Sequence, residues 1–222
     1  MSAPPRLAIF DCDGVLVDSE SLSHGVLVEM LAEQGWELTL ADARSRFQGL
    51  LLGQVKALTE SELGRVLPDD WLDQFVRRRA AAFDAELEPV PGAVALVERV
   101  LAAGLEVCVA SQGSLAKTAR SLALTGLDGL FPEQRRFSAE QVPRGKPHPD
   151  LFLLAAATLG FAPADCAVVE DTPSGVTAAV RAGMTVYGYS ADSPESALTS
   201  AGASSSPSLA ELGNRLLDPF DS

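Results

Sequence analysis

Two aspartates, Asp11 and Asp13, follow the apolar run Leu7-Ala8-Ile9-Phe10 and precede Gly14. Side chains two residues apart in a strand project to the same side. Both carboxylates therefore converge at the carboxyl end of a strand, where open α/β sheets bind ligands. An Asp-x-Asp alone is common in turns. Here a second acidic pair, Glu170-Asp171, closes another apolar run, and Lys146-Pro147 lies between the two pairs. Those pieces in that order suit a metal ion, a nucleophile and a phosphate.

A phosphate ester resists attack because nucleophile and phosphate are both anionic. A bound Mg²⁺ offsets that repulsion, and it takes carboxylates, water and phosphate oxygens as ligands. Asp11 and Asp171 are placed to be carboxylate ligands, with the Asp13 carbonyl a third. One aspartate can then attack phosphorus to form an aspartyl-phosphate. A second carboxyl must protonate the leaving oxygen and later deprotonate water; for Asp13 this requires a side chain directed into the cavity. Ser111 can offer its hydroxyl and neighbouring backbone N–H groups to phosphate, and Lys146 a positive charge. Glu170 is read as orienting the metal's waters from behind the ligands.

These groups need elements to hold them. Strand patterns recur at Leu105–Ala110, Ala167–Glu170 and Met184–Tyr187, alternating with helical patterns at 92–103, 114–124, 149–159 and 174–182. Short β-branched runs alternating with helices indicate a parallel sheet, so the expected fold is α/β, a doubly wound, Rossmann-like core. Residues 18–86 interrupt that alternation with helical patterns alone. They are expected to form an inserted all-α cap over the carboxyl edge of the sheet, with residues 1–17 and 87–222 forming the core. The Ser-, Ala- and Pro-rich stretch 191–207 reads as loop before a final helix near 210–217.

The net charge of −13 and the lack of a basic stripe exclude a nucleic-acid partner. No apolar stretch is long enough to span a bilayer, so no membrane partner is expected, and no secretory signal is expected ahead of the first strand. Cys12, Cys108 and Cys166 are far apart in sequence and read as buried, reduced thiols. A cytoplasmic location is expected. The oligomeric state is open, with a slight lean to a monomer.

Asp11-Cys12-Asp13-Gly14-Val15, Ala110-Ser111, Gly145-Lys146-Pro147 and Glu170-Asp171 together resemble the four motifs of the haloacid dehalogenase-like superfamily. The resemblance is closest to its phosphatase and β-phosphoglucomutase-like group, and it covers Leu7 to Tyr189. It implies Asp11 as nucleophile and Asp13 as general acid/base. It further implies phosphate binding by Ser111 and Lys146, and Mg²⁺ binding that includes Asp171. The metal set expected is Asp11, Asp13 and Asp171.

The departures narrow the activity. Gln112 stands where the family often has asparagine. The superfamily's dehalogenases lack the second acid, so Asp13 speaks against dehalogenation. A phosphonate hydrolase would need a Schiff-base lysine in the cap, where Lys56 is the one lysine and lies in no motif. The mutases carry a first-helix histidine at the position of Ser23, with His24 one residue off and read as a cap-surface residue. The cap loop Arg46–Leu52 has leucine where a mutase has arginine. The expectation is a phosphatase acting on a small-molecule phosphate ester, a sugar or sugar-acid phosphate foremost. A phosphosugar mutase and a catalytically silent binding protein are the alternatives. Arg46 and Gln48 are the candidate cap contacts to substrate.

Overall fold

β1 (Leu7–Phe10) lies inside a six-stranded parallel sheet, and every one of its residues is buried. The computed structural model describes residues 4–48, 50 and 52–218. The other strands are β2 (Glu106–Ser111), β3 (Arg136–Ser138), β4 (Cys166–Glu170), β5 (Thr185–Tyr189) and β6 (Ser204–Ser206), in the order β3-β2-β1-β4-β5-β6. The chain divides into one unit of Met1–Asp18 with Glu88–Ser222 and a second of Ser19–Leu87.

In the first unit the strands read as continuous apolar runs because both faces of a parallel sheet are covered. Leu7, Ile9, Cys108, Ala110, Cys166 and Val168 enter one apolar cluster with Leu151 and Phe152 of α7 (Asp150–Leu159) and Val176 and Ala179 of α8 (Pro173–Arg181). Phe10, of opposite parity, instead meets Phe131 edge-on with ring centroids 6.1 Å apart. The remaining α-helices among the described residues of this unit are α5 (Ala93–Ala102), α6 (Leu115–Leu124), α9 (Glu195–Ala201) and α10 (Leu209–Leu217). The three cysteines are buried and free, as expected.

The second unit consists of α1 (Ser19–Glu33), α2 (Leu40–Phe47), α3 (Leu52–Leu63) and α4 (Trp71–Glu86), with no strand among its described residues. Its core gathers Leu27, Met30, Leu31, Phe47, Trp71 and Phe75. A capping box at Thr39 and Asp42 starts α2, each side chain bonding the other's backbone N–H.

Two edge strands and one helix fall outside the sequence patterns. β3 is Arg-Phe-Ser and β6 is Ser-Ser-Ser, too short and polar to signal by periodicity. The stretch expected as loop from 191 to 207 contains α9 and β6. Seven residues of helix and three of strand are stabilised there by docking rather than by propensity.

Three adjacent strands deliver the chemistry. Phe10 is level with Val109 of β2 and Val169 of β4, so Asp11 stands level with Glu170. The Asp11 amide N–H extends the ladder to the Val169 carbonyl at 3.0 Å. The chain then turns: the N–H groups of Leu16 and Val17 both donate to the Cys12 carbonyl, at 2.9 and 3.0 Å. Sheet order reverses on either side of β1, and such a switch point opens a crevice at the strand ends.

Candidate active site

Lys146 is the hub of the site. Its ammonium is ion-paired to Asp11 Oδ1, lies 2.7 Å from Glu170 Oε1 and sits 5.1 Å from the centre of the Phe152 ring. The side chain is 5% exposed. Three contacts fix the loop that carries it. The Lys146 N–H donates to Gln112 Oε1 at 3.0 Å, Arg181 donates to the Pro147 carbonyl at 3.0 Å, and Arg144 makes two 3.1 Å bonds to Asp150. A Cβ at Gly145 would collide with the Gln112 amide, so that glycine is what lets the loop close on Gln112. Gln112, the departure from the family's asparagine, thus places Lys146.

Glu170 is 1% exposed and its acceptors are occupied. Besides Lys146, its Oε2 accepts from the Thr172 N–H at 2.7 Å and the Thr172 hydroxyl at 2.9 Å. Thr172 also caps α8, its hydroxyl accepting from the Gly175 N–H at 3.1 Å. Any Cβ on Gly175 would overlap the Glu170 carboxylate.

The Asp11, Glu170 and Asp171 carboxylates are all buried, with oxygens within 4.8 Å of one another. Gly14 turns the chain at φ +79°, and a Cβ there would fall on the Asp171 carboxylate. An all-oxygen, buried carboxylate set cradled in this way fits a hard divalent cation such as Mg²⁺ and not a soft one. Asp13 does not join that trio by its side chain. Its Oδ2 lies 2.7 Å from Lys117 Nζ of α6. The carboxylate expected to face the cavity therefore has a partner that the sequence reading did not name. Ser111 is 1% exposed, and its hydroxyl accepts from the Gly113 N–H at 3.0 Å.

The electrostatics follow from burial and from crowding of like charge. Burial, aided by Glu170 and Asp13, outweighs the Lys146 ammonium and raises the Asp11 carboxyl to about 7. Burial opposes the charge on Lys146, but Asp11 and Glu170 outweigh it and hold Lys146 protonated above the ordinary lysine value. Burial and the flanking aspartates push the Cys12 thiol well up, so it is no thiolate nucleophile.

In the helical unit, Arg46 lies 3.5 Å from Glu62 and 5.6 Å from the centre of the Trp36 ring. Gln48 is exposed and closes α2 through its N–H to the Arg44 carbonyl at 3.0 Å. Gly49 and Leu51 of the cap loop lie outside the described residues. His24 is not a surface residue: it is 6% exposed, with Nδ1 2.9 Å from the Glu20 carbonyl oxygen one turn earlier.

The family model for haloacid dehalogenase-like hydrolases matches residues 5–183. The chain belongs to that family. Among relatives of this hydrolase, 6-phosphogluconate phosphatase of Escherichia coli (strain K12) is 33% identical over 184 residues, 82% of this chain and 81% of that protein. Hexitol phosphatase A of the same organism is 40% identical over 192 residues, 82% of each chain. A crystal structure of a HAD family hydrolase from Deinococcus radiodurans R1, with bound phosphate and sodium, superposes with a TM-score of 0.89 at 33% identity. That match covers 98% of this hydrolase and 97% of the other chain. No helix among the described residues is long and apolar enough to cross a membrane.

Sequence reasoning named Asp11, Asp13, Ser111, Lys146, Glu170 and Asp171; the fold places five of them at or just beyond the carboxyl ends of β1, β2 and β4, and Lys146 on the connection between β3 and α7. It missed Lys117, and it did not see that Gln112 and Thr172 position Lys146 and Glu170. The available signal was Ser114-x-x-Lys117, a helix start soon after Ser111. Ser114 caps α6 by accepting from the Lys117 N–H at 3.1 Å.

Proposed function

We propose that this haloacid dehalogenase-like hydrolase is a Mg²⁺-dependent phosphatase that works through an aspartyl-phosphate on Asp11. Its substrates are small phosphorylated metabolites. The names of two relatives, a 6-phosphogluconate phosphatase and a hexitol phosphatase, direct the choice to sugar and sugar-acid phosphates. The observation that carries the reading is the grip on Asp11, a buried carboxylate at the end of β1 that is ion-paired to Lys146 and grouped with two further carboxylates.

Asp11 and Asp171, with the main-chain carbonyl of Asp13, would hold Mg²⁺, which when bound offsets the charge of nucleophile and phosphoryl oxygens. Glu170, with three donors already on its carboxylate, holds Lys146 in place instead. An Asp11 carboxylate oxygen attacks phosphorus as the bond to the leaving oxygen breaks, and Asp13 protonates that oxygen. Asp13 then takes a proton from water. The water oxygen bonds to phosphorus, the acyl-phosphate bond breaks, and the Asp11 carboxylate is restored as inorganic phosphate leaves. Ser111 and Lys146 donate to the phosphoryl oxygens. The Ser19–Leu87 unit serves as the cap that selects the substrate. Arg46, half-exposed and loosely paired, and the exposed Gln48 are its candidate contacts.

Phosphate release from 6-phosphogluconate, hexitol phosphates and hexose phosphates, with Mg²⁺ and with chelator, tests this. Release should require Mg²⁺ and fall at least about a thousandfold in Asp11→Asn, as loss of a nucleophile does. Release that survives chelation or Asp11→Asn would overturn it.

A further inference from the structure

The chain has three lysines, Lys56, Lys117 and Lys146, against thirty acidic residues, and two of the three lie at the site. Their situations differ. Lys146 is 5% exposed and shared between Asp11 and Glu170. Lys117 is 35% exposed at the side chain, with Nζ 2.7 Å from Asp13 Oδ2. An ammonium has three N–H donors in freely rotating positions, so Lys117 can take an anionic oxygen in addition to Asp13.

Geometry says which oxygen that is. A Cβ on Gly113 would stand 3.2 Å from Lys117 Cδ, 3.3 Å from Ser111 Oγ and 3.8 Å from Lys117 Nζ. The ammonium of Lys117 and the hydroxyl of Ser111 therefore flank the same point, with Gly113 leaving room for both. Ser114 fixes the backbone of Lys117 in the first turn of α6, a ten-residue helix whose N-terminal dipole also favours an anion. Charge adds to this. Four acidic residues, Asp11, Asp13, Glu170 and Asp171, face two lysines. Removing Lys117 would take one positive charge from the place where a phosphoryl dianion must enter.

From these contacts we infer that Lys117 is a second cationic ligand of the substrate's phosphoryl group, beside Ser111, and that by the same ammonium, bonded to Oδ2, it orients the Asp13 carboxyl group so that the other oxygen carries the proton toward the leaving oxygen. This rests on the phosphatase reading and adds a residue to it. Lys146 stabilises the nucleophile from inside the protein, and Lys117 meets the incoming anion from its exposed side. One lysine contact thereby couples phosphate binding to the position of the proton donor.

The test uses inorganic phosphate as the probe on the full-length protein with Mg²⁺. Lys117→Met should weaken phosphate binding, measured calorimetrically and as an inhibition constant, by at least about tenfold, the loss of one charge-assisted hydrogen bond. It should raise KM for p-nitrophenyl phosphate in parallel, while Lys117→Arg restores most of both. The wild-type protein supplies a readout that needs no variant to fold. With lysine labelled by carbon-13 at Cε there are three signals, assigned through Lys56→Arg and Lys117→Arg, and phosphate should shift that of Lys117 while leaving that of Lys56 in place. Unchanged phosphate affinity in Lys117→Met, or a Lys117 signal indifferent to phosphate, overturns the inference. Failure of the phosphatase reading looks different: the wild type would release no phosphate from any ester, while the titration and the lysine signals would still decide the role of Lys117.

Discussion

The carboxylate of Asp171 rests against the backbone of Gly14 so closely that a single added carbon at Gly14 would overlap it. The turn that brings Asp13 out of β1 and the carboxylate offered by the end of β4 are thus built as one object. Gly14 also holds φ at +79°, where side chains are strained. Gly14→Ala should cost about 1–2 kcal/mol from the left-handed backbone and push Asp171 aside. Weakening of Mg²⁺ affinity by about tenfold or more, the scale for a lost supporting contact, is the expected result in a calorimetric titration. Mg²⁺ affinity equal to wild type would show that Asp171 is not held by this contact.

Thr172 does three jobs: its N–H and hydroxyl both donate to Glu170, and its hydroxyl caps α8. Thr172→Val should lower stability by about 1 kcal/mol from the lost cap alone, and more as Glu170 loses the hydroxyl that donates to it beside Lys146. Thr172→Ser should recover most of the loss. Urea unfolding of the three proteins checks this. A valine variant as stable as wild type would remove Thr172 from the account.

Lys146 sits between two buried carboxylates, so its removal leaves both without their counter-ion. Lys146→Met should destabilise by about 3–5 kcal/mol, the scale for breaking a buried ion pair from one side. Pairing it with Glu170→Gln should recover part of that loss, since one of the stranded charges is then neutral. A single variant with an unchanged urea midpoint would contradict the hub role.

The raised Asp11 carboxyl fixes the sign of a pH effect. Its ordinary value is 3.8 and burial lifts it to about 7 in the fold. The folded state therefore binds this proton more tightly than the unfolded chain. The stability it contributes is complete below about pH 4 and is lost as pH rises through about 7. In metal-free buffer, Asp11→Asn should gain on wild type in melting temperature between pH 5 and pH 8. Added Mg²⁺ should stabilise wild type and leave the variant where it was. A difference that stays flat with pH would mean that Asp11 is charged throughout.

Much of this was legible in the sequence. Leu7-Ala8-Ile9-Phe10, Val107 to Ala110 and Ala167 to Val169 are strands buried on both faces, and their apolar continuity reports that burial directly. The acids at their ends announce the chemistry by type and spacing. β3 and β6 were not legible, because three residues at a sheet edge carry no period and their apolar content is one phenylalanine between them. Lys117 was hidden for a different reason: its partner Asp13 is 104 residues away. Gln112 and Lys146, 34 residues apart, meet by backbone-to-side-chain bonding, which leaves no pattern in residue types. Periodicity and motif spacing report elements and the ends of strands. They do not report which long side chain reaches across between loops.

As the nucleophile, Asp11 becomes phosphorylated in each turnover, and the phosphorylated aspartate can be trapped. Asp13→Asn should slow turnover by about a hundred- to ten-thousandfold, the usual worth of a general acid/base. With acetyl phosphate, whose leaving group needs no proton, the intermediate should still form in this variant and accumulate. Acid quench, borohydride reduction and peptide mass spectrometry should then show homoserine at position 11 and at no other aspartate, only when Mg²⁺ is present. Label at another residue, or none at position 11 while phosphate is still released, would contradict the account.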